Sequence, residues 1–171
     1  VDVHSRFFRE KGLLPVVTMS KSKTTAAAAA AAAAANVAIK TNAKCKADAC
    51  RALANLAANE AAQQDLAREG VIESMVDVLR EDTNVDCQKY AVLCIANLAT
   101  TLAGQIEIVE ANAIGPLASL LNQPSTSLAI ADIRRYSALA MANLSATQAN
   151  HETMVSTDGA LTALYTLLTS S

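Results

Sequence analysis

Tryptophan is absent from the 171-residue chain, and two phenylalanines and three tyrosines are its only aromatics, 3% of the residues. Glycine (five) and proline (three) are scarce as well. Sandwiches and barrels draw on aromatic and β-branched residues in their strands and on Gly and Pro in their many turns, so this shortage argues against them. Charge of one sign is also lacking. Fourteen Lys and Arg against sixteen Asp and Glu give a net charge of −2, which leaves no global basic field to hold nucleic acid. No apolar run approaches the roughly 20 residues of a bilayer span; the longest is ten alanines at 26–35, flanked by Lys21, Lys23 and Lys40. No secretory leader pattern opens the sequence.

Groups that do chemistry are few. The two histidines, His4 and His151, lie near helix starts or loops. The four cysteines (Cys45, Cys50, Cys87 and Cys94) have neither C-x-x-C spacing nor a histidine partner, so no metal site is expected. Cys50 and Cys94 fall in helical columns where a small apolar residue packs, which makes them structural thiols of a reducing, cytoplasmic compartment. None of the five glycines forms a phosphate-binding or dinucleotide motif. Glu60/Asp65 and Glu81/Asp82 read as cap and surface charges. The expectation is a non-enzyme without a cofactor.

Alanine is what the chain has in excess, 37 of 171 residues within a hydrophobic fraction of 52%. That is too apolar for a disordered chain, and alanine favours helices, so the fold class is all-α. Internal repetition then organises it. Asn-Leu recurs in RALANLAAN (51–59), CIANLATT (94–101) and MANLSAT (141–147), with Asn55, Asn97 and Asn143 spaced 42 and 46 residues apart. Fifteen or sixteen residues after each comes Gly70, Asn112 or Gly159, and Gly12 is the earlier equivalent. Glycine and asparagine tolerate the left-handed backbone that ends helices. Apolar columns follow the markers. Phe8, Leu66, Ile108 and Val155 stand four before, Leu14, Ile72, Ile114 and Leu161 two after, and Val17, Met75, Leu117 and Leu164 five after. Leu53, Ile95 and Met141 precede the asparagines, with Ala54, Ala96 and Ala142 as small neighbours that let helices approach. Each unit is thus a short helix, a bend, a medium helix, a loop and a long helix.

AIGPLASLLNQPS (113–125) with GALTALYTLL (159–168), and KYAVLCIANLA (89–99) with RYSALAMANLS (135–145), resemble the second and third helices of the armadillo repeat. The resemblance implies a right-handed α-solenoid of three-helix repeats. Its boundaries fall at 5–58 for a partial repeat with the alanine-rich insertion near 20–44, 59–100 and 101–147 for two repeats, and 148–171 for a partial one. A first helix is expected at 5–11. Leu161, Leu164, Leu167 and Leu168 are expected to lack a covering third helix, as in a segment of a longer array. The closest flavour is that of vacuole-anchored, ciliary and catenin-like armadillo proteins.

By this resemblance the third helices line a groove, and Asn55, Asn97 and Asn143 either clamp the backbone of an extended peptide or bond a neighbouring helix carbonyl. Import adaptors carry Trp four residues before this asparagine. Here Arg51, Leu93 and Leu139 stand there, which argues against nuclear-signal binding. Arg51, Lys89 and Arg135, with Tyr90 and Tyr136, make either a basic ladder for an acidic extended peptide or an ordinary solvated face. The expected function is a non-enzymatic interaction scaffold whose partners are proteins: a peptide segment or neighbouring subunits of a ciliary or cytoskeletal assembly. The alternatives are an import-adaptor-like carrier and the non-catalytic part of a larger ligase or regulatory chain.

Overall fold

The computed structural model describes residues 43–124 and 127–169. The expectations for 5–11, Gly12 and the alanine run at 26–35 lie outside the described residues. Within them the chain is helical, without strands. A long helix α1 (Ala43–Ala57) leads into a three-helix unit of α2 (Glu60–Arg68), α3 (Val71–Glu81) and α4 (Val85–Leu98). A second unit follows, of α5 (Leu102–Glu110), α6 (Ile114–Leu121) and α7 (Leu128–Leu144). A 3-10 turn (Gln148–Asn150) then precedes α8 (His151–Ser156) and α9 (Ala160–Thr169).

The helix boundaries have local causes. Side chains of Asn59, Asn84, Thr101 and Ser127 accept hydrogen bonds from the first free backbone N–H groups of α2, α4, α5 and α7, the usual task of an N-cap. Between first and second helices, Gly70, Asn112 and Gly159 have φ of 71°, 58° and 78°. This is the left-handed backbone expected of these three residues.

Packing follows the columns. α1 stacks on α4 and α4 on α7, while α3 and α6, then α6 and α9, stack in a parallel layer. Leu53, Ile95 and Met141 are buried in the third-helix stack, and Ile72, Met75, Ile114 and Leu117 in the second. Each such side chain contributes roughly 1.5–3 kcal/mol. Where α4 turns into α5, a Cβ on Gly104 would lie 2.0 Å from the Leu98 carbonyl oxygen. Only glycine lets the two backbones meet there.

The last helix pair departs from the expected columns. Val155 and Leu161 are exposed, and Met154, Ala160 and Ala163 are buried instead. The left-handed Gly159 comes three residues after the end of α8, whereas Gly70 and Asn112 come two after α2 and α5, with Thr157 extended as the α8 C-cap, so the inward face of α8 lies one residue earlier. Leu164 and Leu167 are partly buried against the core, and Leu168 projects from it. Beside the asparagines, Ala54 and Ala96 are buried but Ala142 is exposed.

Candidate functional site

The third helices bring the expected site residues onto successive rungs. Asn97 on α4 donates from Nδ2 to the carbonyl of Ala54 on α1 at 2.9 Å. Asn143 on α7 donates to Ala96 on α4 at 3.2 Å. Both acceptors lie in the last turn of their helices, where carbonyls have no intrahelical N–H to accept from. Asn97 and Asn143 therefore each bond a carbonyl near the end of the preceding long helix. Asn55 is exposed on α1.

A second amide column completes these helix ends and escaped the sequence reading. Gln63 Nε2 donates to Ala57 O, Asn97 O and Thr100 Oγ1 at 2.9, 3.1 and 3.1 Å. Gln105 Nε2 donates to Ala99 O at 2.9 Å, and its Oε1 meets the Thr147 hydroxyl. Asn150 Nδ2 donates to Leu144 O at 3.0 Å and to Gln105 O at 3.3 Å. All three side chains are buried. The signal was present: an amide eight, eight and seven residues after Asn55, Asn97 and Asn143. His151 is spent similarly, its ring Nε2 donating to Ser145 O at 2.8 Å.

Each cation of the expected ladder has an anion. Arg51 pairs with Asp48 at 2.8 Å within α1. Lys89 on α4 reaches Asp132 on α7 at 2.6 Å, and Arg135 approaches the same carboxylate at 3.6 Å. The guanidinium of Arg135 also lies 4.4 Å from the centre of the Tyr136 ring, a cation–π distance. The hydrogen bond between Lys89 and Asp132, helped by their mutual attraction, raises Lys89 above the usual lysine pKa and lowers Asp132 below the usual aspartate value. Tyr90 and Tyr136 are half-buried against the core, next to Lys89 and Arg135. A related pair, Lys46–Asp82 at 2.6 Å, joins α1 to the end of α3. Asp82 is thus a link between units as well as a cap residue. Burial opposes both charges there, but the pairing prevails, so Lys46 is raised and Asp82 lowered.

Three buried thiols, Cys50, Cys87 and Cys94, sit where α1 and α4 pack, whereas Cys45 is exposed. Burial pushes Cys50 up to about 12 and Cys87 up to about 11, and raises Cys94 as well. Such groups stay protonated near neutral pH and are poor nucleophiles. Among the described residues no group of three or more His, Cys, Asp or Glu is placed to hold a metal ion. No helix among them is long and apolar enough to cross a membrane.

No protein-family profile matches the chain, and no curated protein sequence does. Solved structures do match. A designed armadillo repeat protein in complex with the peptide (KR)4 superposes with a TM-score of 0.74 at 24% identity, over 89% of this chain and 63% of that one. An engineered protein gives 0.72 at 25% identity, over 83% and 56%. A computationally designed armadillo repeat protein for modular peptide recognition gives 0.72 at 25%, over 88% and 67%. The fold is an armadillo-type α-solenoid. The chain spans roughly three fifths of the length of the first two solved proteins. α2–α4 and α5–α7 each run short, medium and long helix; α4 and α7 are the third helices of these two units, and α1 takes the same place in the stack before them.

Proposed function

We propose that this chain is a non-enzymatic scaffold that takes an extended peptide along its third-helix face. One observation carries the reading. The pair Lys89–Tyr90 on α4 recurs as Arg135–Tyr136 at the same position of α7, eight and seven residues before the asparagine. A peptide crossing both helices meets a cation beside an aromatic ring twice, one repeat apart. Lys89 and Arg135 already share Asp132, so a partner carboxylate there completes a network instead of meeting a bare charge. Asn55 adds an exposed amide at the α1 end of the face, next to Arg51. The solved likenesses support peptide binding in general, since one holds (KR)4 and another was designed for peptide recognition.

The partner is an acidic extended segment, free or on a neighbouring subunit of a large assembly. A cytoplasmic, ciliary or cytoskeletal scaffold of the catenin-like kind fits this reading. The test is an anisotropy titration with a labelled glutamate-rich peptide. The double variant Lys89→Ala/Arg135→Ala should bind about tenfold more weakly or worse, with the helical circular dichroism retained. Equal affinity in the variant would end the groove version. Capture of a lysine-rich peptide that is lost in Leu139→Ala would favour the import-adaptor alternative.

A further inference from the structure

Charge is segregated between the two sides of the solenoid. The third helices α1, α4 and α7 carry six cations against three carboxylates, while the first and second helices carry eight carboxylates against two arginines. Those two arginines are engaged. Arg68 lies 3.5 Å from Asp65. Arg80 lies 3.2 Å from Asp77 and donates to Ala111 O and Asn112 O at 2.7 and 3.1 Å. Glu60, Glu73, Glu107 and Glu110 have no ion pair among the described residues.

These four carboxylates converge on one groove. Between α2 and α5 lies an open cavity of about 600 Å³, lined by Glu73, Glu107 and Glu110, by Ala67, Ala103 and Ala111, and by one cation, Arg68, which is paired with Asp65; the buried Ile72 and Leu98 lie beneath it. It adjoins a second volume of about 420 Å³ lined by Glu60, the two sharing Gln63, Gln64, Thr101 and Ala103. Gln63 lines both volumes and is 6% exposed; its Oε1 is buried and receives no hydrogen bond from the described residues. The next repeat does not build the same thing. Around α5 and α8 the cavity is about 180 Å³, lined by Val109, Asn112, Ile114, Gly115, Thr153 and Thr157 without a carboxylate.

We infer that the groove between α2 and α5 docks a lysine- and arginine-rich extended segment of a partner protein. The aliphatic stems of such side chains lie against the alanine surface of Ala67, Ala103 and Ala111 while their charged heads stay at the rim. There the glutamates give charge-assisted hydrogen bonds. The same carboxylates repel phosphate backbones, so nucleic acid does not fit. This face is separate from the third-helix face, and its occupant has the opposite charge.

The test uses a fluorescein-labelled peptide of alternating lysines and arginines, titrated with the whole chain at low salt and at physiological salt. Binding should weaken with salt. It should fall about tenfold in Glu73→Gln/Glu107→Gln/Glu110→Gln and again in Ala103→Trp, which fills the groove from an exposed position. Tyr136→Ala and Leu139→Ala, on the third-helix face, should leave it within about twofold. Absence of binding at low salt would overturn the inference. So would affinity indifferent to the glutamate and Ala103 variants, or lost in the third-helix ones. The glutamate-rich titration reads the other face, so either proposal can fail alone.

Discussion

In α6 the side chains of Ile114, Ala118 and Leu121 are buried, as are Ile72, Val76 and Leu79 of α3; at the equivalent positions of α9, Leu161, Tyr165 and Leu168 stand 52%, 66% and 86% exposed. The first and last of these positions hold Ile or Leu in all three helices, and only the middle one, Val76, Ala118 or Tyr165, changes type. What differs is company: α6 is packed by α7 on one side and α9 on another, whereas no described helix lies beyond α9. In a solenoid, burial is conferred by the neighbouring repeat, and the same column means core in one unit and surface in the next.

The sharpest way to break this comparison is to truncate the same kind of side chain in both places. Leu117→Ala in α6 removes a fully buried group and should cost ~2–5 kcal/mol in urea unfolding. Leu168→Ala in α9 should change stability by less than about 0.5 kcal/mol. Equal losses would mean that α9 is covered in solution. Glycine offers the next contrast. Gly104→Ala forces a methyl group into the Leu98 carbonyl and should cost ~1–3 kcal/mol. Gly115→Ala, in α6 with open space around it, should gain ~0.5–1 kcal/mol from helix propensity.

A smaller gain is expected inside the stack. The buried Ser137 hydroxyl on α7 has no hydrogen-bond partner among the described residues. Ser137→Ala should therefore raise the unfolding midpoint by an amount worth about 1 kcal/mol. The smallest effect is electrostatic. Asp132 is held below its unfolded pKa, so its contribution is present above the unfolded value of 3.8 and fades as pH falls through the lower folded value. Lys89, raised above 10.5, contributes below that pH and fades as pH rises through its folded value. Asp132→Asn should flatten both limbs of the stability–pH curve. A comparable loss on mutating the α9 face would erase the distinction between seam and surface.

These contrasts mark what could be read from residues alone. The left-handed bends at Gly70, Asn112 and Gly159 were legible because few residue types accept that backbone. The third-helix columns were legible because Leu53, Ile95 and Met141 recur at fixed offsets. The Asn97 and Asn143 amides could be placed on a face, but their acceptors could not. Which carbonyl lacks a partner depends on where the preceding helix ends and how closely the next one packs. Gln63, Gln105 and Asn150 were overlooked for a related reason: a polar residue in a turn reads as solvated until its neighbours enclose it. The ladder of Arg51, Lys89 and Arg135 was visible, but its pairing with Asp48 and Asp132 was only half so. Asp48 lies one turn from Arg51, whereas Asp132 reaches Lys89 only when α7 stacks on α4.

The two amide columns also bear on how such a chain can change in length. Gln63 ties the end of α1 to the end of α4, and Asn150 ties the end of α7 to α5. Each joint needs an amide at a set distance along the sequence. Gene rearrangements that add or remove a whole repeat carry helix end and amide together and keep every carbonyl bonded. A change of two or three residues in one of these turns separates them. The molecule tolerates growth in whole modules far better than small slips between them.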